Sequence, residues 1–85
     1  MTREQAYILL NDIIRDVLED ESVTVDDATE LWRLPGWDNV AEIGVLAAVE
    51  VRFGIRLRAE EAEPVASMSE LVDLILDKSP RLAVG

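Results

Sequence analysis

The sequence predicts a single all-α domain, a four-helix bundle of three longer helices, one short helix before the last, and a long first loop. Three observations predict it. Apolar residues recur at helical spacing in the three longer segments. Cap and stop residues mark where those segments begin and end. No segment reads convincingly as a strand, and the domain takes in residues 1–85.

The first helix is expected from about Arg3 to Glu19. Tyr7, Leu10, Ile14 and Leu18 fall on one side, with Ala6, Ile13 and Val17 beside them, the spacing of an amphipathic helix. Thr2 suits the N-cap, and Glu4 lies near the positive helix end. Residues 20–38 then form a long connection. Val23 and Val25 alternate with polar neighbours and are expected to plug into the core. Asp26 and Asp27 are expected to cap a short turn around Ala28–Trp32, which Pro35-Gly36 ends.

The second helix is expected to start at Asp38 or Asn39, where Asp38 can accept from first-turn N–H groups. It should end at Phe53, with Gly54 closing it in the left-handed conformation, Ile55 packing back and Arg52 at the negative end. Residues 59–64 form the short third helix, ended or broken by Pro64. Ser67 and Glu70 make a capping box for the fourth. Met68, Leu71, Val72 and Ile75 follow at i, i+3, i+4 and i+7, and Ser79-Pro80 stops the run. The tail from Arg81 to Gly85 is expected to be loose.

Composition narrows function. The chain has no Cys and no His, which excludes disulfides, thiolate or imidazole metal sites and His-based catalysis. With 18 acidic against 8 basic residues, the net charge is −10. That field disfavours nucleic acid and anionic membranes and favours basic protein surfaces. No apolar run is long enough to span a bilayer. The acidic start, MTREQAYILLND, does not read as a signal peptide, so a cytoplasmic location is the default expectation.

The segment from Leu34 to Leu57, LPGWDNVAEIGVLAAVEVRFGIRL, resembles the centre of an acyl carrier protein. Gly36-Trp37-Asp38 matches the residues that precede the attachment site in that family. Phe53-Gly54-Ile55 matches its second-helix ending, and MSELVDLIL its closing helix. The layout of nearly the whole chain agrees. In the family, a Ser after that Asp carries 4′-phosphopantetheine, placed there by a transferase that uses coenzyme A and magnesium. The arm then shuttles acyl or aminoacyl thioesters. By position, Asn39 stands at the attachment Ser, Asp38 before it and Val40 after it.

An Asn cannot take that role. The phosphodiester needs a hydroxyl oxygen, and the carboxamide nitrogen is delocalised into its carbonyl. Ser22, Ser67, Ser69 and Ser79 remain, but none follows an Asp at a helix start. The sequence therefore implies no bound cofactor; phosphopantetheine would be expected only with Ser at position 39. Either a natural carrier-like protein lost its attachment point, or a functional Ser has been replaced.

A second departure lies on the second helix. Typical carriers show partners an acidic face there. At about 100° per residue, Val40, Ile43, Gly44, Ala47 and Val51 form a stripe opposite Val45, Leu46, Val49 and Phe53. A small domain covers only one of these sides. The stripe is expected to meet a protein, such as a synthase or ligase component or a second copy of the chain, unless loops or Trp32 cover it. Gly44, costly within a helix by about 1 kcal/mol, suggests close approach of another backbone.

Trp32 and Trp37 read as an aromatic lid on a small core, or as the walls of an acyl groove. Glu60, Glu61 and Glu63, with Asp26 and Asp27, could attract divalent cations, but they match no calcium loop and read as a solvated acidic face. Arg52, Arg56 and Arg58 read as local ion-pair partners. The function that follows is a carrier-like, noncatalytic interaction module related to fatty acid, polyketide or nonribosomal peptide assembly. The alternatives are a true carrier with its Ser replaced, or a small structural or regulatory helical protein. No nucleophile–base pair points to an enzyme.

Overall fold

The computed structural model describes residues 1–79, so the tail expectation lies outside the described residues. Four α-helices follow in order: α1 (Arg3–Leu18), α2 (Asn39–Phe53), α3 (Ala59–Ala62) and α4 (Met68–Lys78). Among the described residues there is no strand, only an isolated antiparallel bridge between Glu30 and Ser67.

Local signals account for the helix ends. Gln5 N–H donates to the Thr2 hydroxyl at 3.1 Å and Thr2 N–H donates to the Gln5 side chain at 2.8 Å, a reciprocal cap that satisfies first-turn donors. The Asp38 carboxylate accepts from Ala41 N–H at 2.8 Å. Gly54 closes α2 at φ +69°, and Ile55 N–H reaches Glu50 O at 3.1 Å, the left-handed closure for which glycine is suited. Ser67 caps α4 by accepting from Glu70 N–H at 3.2 Å, while Glu70 accepts from Ser67 N–H at 3.1 Å.

The core draws on every long segment. Leu10 and Ile14 of α1, Val45 and Val49 of α2, and Met68, Val72 and Ile75 of α4 are fully buried. Val23, Val25, Leu31 and Leu34 of the long connection are buried with them. Side chains of α1 bond that connection's backbone, which has no ladder of its own. The Asn11 carboxamide accepts from Val25 N–H at 2.8 Å and donates to Val25 O at 3.3 Å. Arg15 Nε donates to Val23 O at 2.6 Å. Near Ser67, Leu31 N–H donates to Ala66 O at 3.1 Å and Met68 N–H to Thr29 O at 2.9 Å, tying the connection to the start of α4.

The turn expected around Ala28–Trp32 is corrected. Asp26 closes a separate turn by accepting from Ala28 N–H at 2.9 Å. The 3-10 turn begins later, at Leu31–Arg33. Asp27 caps neither. It accepts from Arg3 Nη2 at 2.7 Å and from the Tyr7 hydroxyl. Arg3 Nη1 also meets Asp73 at 2.7 Å, so one guanidinium links α1, the connection and α4. The aromatic lid is corrected in part. Trp37 is half-buried against the core, but Trp32 is 62% exposed, with the Arg33 guanidinium 4.9 Å from its ring centroid.

These contacts make the fold sensitive to acid. Hydrogen bonds from Arg3 and then Tyr7 hold the Asp27 carboxyl below its usual range. Lys78, with the Arg58 N–H, does the same for Glu61, and the N–H groups of Ala66 and Ser67 do so for Glu70. A carboxylate with a depressed folded pKa stabilises above its unfolded value, about 4, and that contribution is lost as pH falls through the folded value. The melting temperature is therefore expected to fall below about pH 4. Asp27→Asn is expected to lower the neutral-pH melting temperature and flatten that decline. An equal slope for wild type and variant would refute the assignment to Asp27.

Candidate functional site

The start of α2 is built by a turn and a cap. Gly36 takes φ +80°, a conformation suited to glycine. Trp37 N–H donates to Leu34 O at 3.0 Å. The chain then enters α2 through extended Asp38, whose carboxylate is committed to Ala41 N–H. Asn39 is the first residue of α2 and is exposed. Position 39 thus faces solvent on a capped helix start, and the functional group it offers is a carboxamide.

The hydroxyls of Ser22, Ser67 and Ser69 are engaged elsewhere. Ser22 donates to Asp20 at 2.5 Å, Ser67 caps α4, and Ser69 Oγ accepts from Arg3 Nη2 at 3.1 Å. Ser79 is the C-cap residue of α4.

The stripe on α2 divides into an open part and a packed part. Val40, Ile43 and Val51 are 78%, 68% and 79% exposed, and Ala47 is exposed between them. Neither the loops nor Trp32 cover them. Gly44 is different and corrects the grouping. It is half-buried against α1, where a Cβ added to it would lie 3.4 Å from a Val17 methyl. The close approach that Gly44 permits is to the chain's own first helix. Helices α1 and α2 run antiparallel, since Val17 meets Gly44 while Asp12 meets Arg52 at 3.3 Å.

That geometry leaves room for one methyl group. Gly44→Ala is expected to raise stability by up to about 1 kcal/mol, because alanine is the better helix former. A rise in the urea midpoint checks this, and a lower midpoint would mean that the Val17 contact is already at its limit.

Behind the stripe lies a crevice lined by Leu31, Trp37, Leu46, Ala62, Val65 and Leu71, among others. Its volume is about 10 Å³, at the lower limit for one water. In this conformation it takes no acyl chain.

Beside the stripe, α1 contributes an acidic edge that helical periodicity did not single out. Asp16 and Val51 line one groove, together with Ile13, Ala47, Ala48 and Arg52. Asp12, Asp16, Glu19 and Glu21 surround Arg15 on the adjoining surface. Of the arginine cluster, Arg52 does pair locally, with Asp12. The Arg58 N–H donates to Glu61 at 3.0 Å, and no ion pair forms at Arg56 among the described residues.

No family model matches the chain. Among solved structures it is similar to the solution NMR structure of the holo acyl carrier protein from Geobacter metallireducens. The TM-score is 0.80 and the identity 23%, over 92% of this chain and 90% of that one. A likeness of that extent at that identity is one of fold alone.

Proposed function

We propose that this chain, which has the acyl carrier protein fold, is a carrier-like module that cannot be pantetheinylated and works by noncatalytic contact with other proteins. The observation that carries the proposal is Asn39. It stands exposed, directly after the capping Asp38, at the first position of α2, where the resemblance puts the attachment Ser. A carboxamide does not fit a group that must be esterified to a hydroxyl, and no step is assigned through phosphopantetheine.

Partners would be components of a fatty acid, polyketide or nonribosomal peptide assembly system. The exposed face of α2 supports this reading, because three large apolar side chains on one face of a small domain mark a contact site. The test is the intact mass of the wild-type chain after incubation with coenzyme A, magnesium and a promiscuous phosphopantetheinyl transferase. No gain is expected. One added phosphopantetheine would overturn the proposal in favour of a working carrier.

A further inference from the structure

We infer that Arg56 and Arg58, in the extended segment between α2 and α3, form a two-pronged contact site. Its occupant is an acidic segment of a partner protein, with carboxylates on residues i and i+2. The inference rests on the interaction-module reading and adds a second contact, apart from the open face of α2. Arg56 and Arg58 are exposed and alternate with Ile55 and Leu57, which pack on the core. That alternation sends both guanidiniums to the same outer side, with Cα atoms about 7 Å apart at the rise of an extended chain.

Hydrogen bonds fix the segment that carries them. Ile55 N–H donates to Glu50 O at 3.1 Å, Leu57 N–H to the Glu50 carboxylate at 2.8 Å, and Arg58 N–H to the Glu61 carboxylate at 3.0 Å. The backbone is set before a partner arrives, which lowers the ordering cost of contact. The same bonds engage two nearby carboxylates. Glu61 also holds Lys78 at 2.7 Å. Glu60 forms no ion pair with either arginine among the described residues.

Charge sets the occupant. Arg3, Arg33, Arg52 and Lys78 each form an ion pair within the chain, and Arg15 is turned to Val23 O and Thr24 Oγ1. Arg56 and Arg58 are the side-chain cations left without a partner among the described residues, on a chain of net charge −10. A guanidinium presents a planar fork that matches a carboxylate. Two forks on one side fit two carboxylates at the same separation, which recurs at i and i+2 of an extended segment. Nucleic acid fits less well, since two arginines neutralise few phosphates and the net field repels the others.

The test uses three synthetic Thr-rich, β-prone peptides: one with Asp at positions i and i+2, one with both Asp replaced by Asn, and one with the two Asp adjacent. Each is titrated into ¹⁵N-labelled wild-type chain. The spaced-Asp peptide is expected to shift the amides of Arg56, Leu57 and Arg58 and the Nε–H signals of both arginines saturably, and to weaken as salt rises. Its affinity is expected to fall about threefold to tenfold for Arg56→Gln, and also for Arg58→Gln, since each removes one charged pair. Arg56→Lys is expected to weaken binding too, because the ammonium keeps the charge and loses the fork. Arg52→Gln is expected to leave affinity within about twofold, since Arg52 already pairs with Asp12. All three arginines are exposed, so melting curves close to wild type are expected.

Absence of saturable shifts at residues 56–58 would overturn the inference. Equal binding of the Asn peptide would exclude charge pairing, and equal binding of the adjacent-Asp peptide would exclude a fixed spacing; either overturns it. A single-stranded oligonucleotide that binds as tightly as the spaced-Asp peptide would make this a general polyanion contact and overturn it as well. A doubled mass in solution that Arg56→Gln abolishes would make the acids of a second copy the occupant, with the same consequence. A phosphopantetheine adduct on the wild type would sink the noncatalytic reading without touching the peptide result. An unmodified wild type that ignores the spaced-Asp peptide would sink the arginine site alone.

Discussion

The Asn39→Ser variant is expected to gain one phosphopantetheine per chain under conditions that leave the wild type at its unmodified mass. The substitution replaces a carboxamide by a hydroxyl at an exposed first helical position, immediately after a capping aspartate. The Asp38 carboxylate bonds Ala41 N–H, not the residue 39 side chain, so the helix start does not depend on Asn39. Melting temperature should therefore change little, while modification goes from none to one group. Intact mass spectrometry reads both outcomes. A silent Asn39→Ser variant that folds normally would show that no transferase reads this α2 surface, and would cut the functional tie to carriers. The apolar face next to position 39 is the feature against which that result must be weighed, since typical carriers are acidic there.

Leu10→Ala is expected to cost about 2–5 kcal/mol, the range for truncating a fully buried aliphatic side chain. Leu10 is 0% exposed in the shared core of α1 and α4. A domain of this size holds on the order of 5–10 kcal/mol in total, so the variant would sit near the limit of folding. Ile8→Ala, two residues away on the same helix, removes a similar side chain that is 67% exposed. Its expected effect lies within about 0.5 kcal/mol. Urea denaturation of the two variants measures the difference. Comparable losses would mean that Ile8 is covered in solution, and that an interface extends onto α1.

Most of the fold was legible because its signals are local. Thr2, Asp38 and Ser67 announce three helix starts through hydrogen bonds spanning three residues, and Gly54 announces an end because glycine, unlike other residues, takes the left-handed conformation without steric cost. The core positions of α4 follow from spacing alone. Val23 and Val25 were legible as plugs because alternation in a loop flanked by acids leaves the apolar side chains only one place to go. The turn at Leu31–Arg33 was not legible. Asp27 has a cap's chemistry, but a guanidinium 24 residues earlier in the chain outcompetes the local N–H groups.

The candidate site divides along the same line. Asn39 and the stripe of α2 could be read directly, since one is a residue type and the other a periodicity. Which stripe residues stay open could not. Helical spacing places Gly44 with Val40 and Val51, yet Val17 of α1 claims it, and the choice depends on how two helices cross. Trp32 likewise carries no local mark of exposure. It faces solvent beside the Arg33 guanidinium, while Leu31 and Trp37 pack on the core.

The sequence by itself determined where the helices begin and end, which face of each is apolar, and that position 39 offers no oxygen nucleophile. These properties depend on backbone hydrogen bonds and side chains a few residues apart, or on the chemistry of a single group. Only the tertiary structure decided that Asp27 belongs to Arg3, that Gly44 serves the α1–α2 contact, and that Asp16 of α1 borders the open face of α2. Those pairings join residues far apart in the chain, and they exist only once helix packing has brought the elements together.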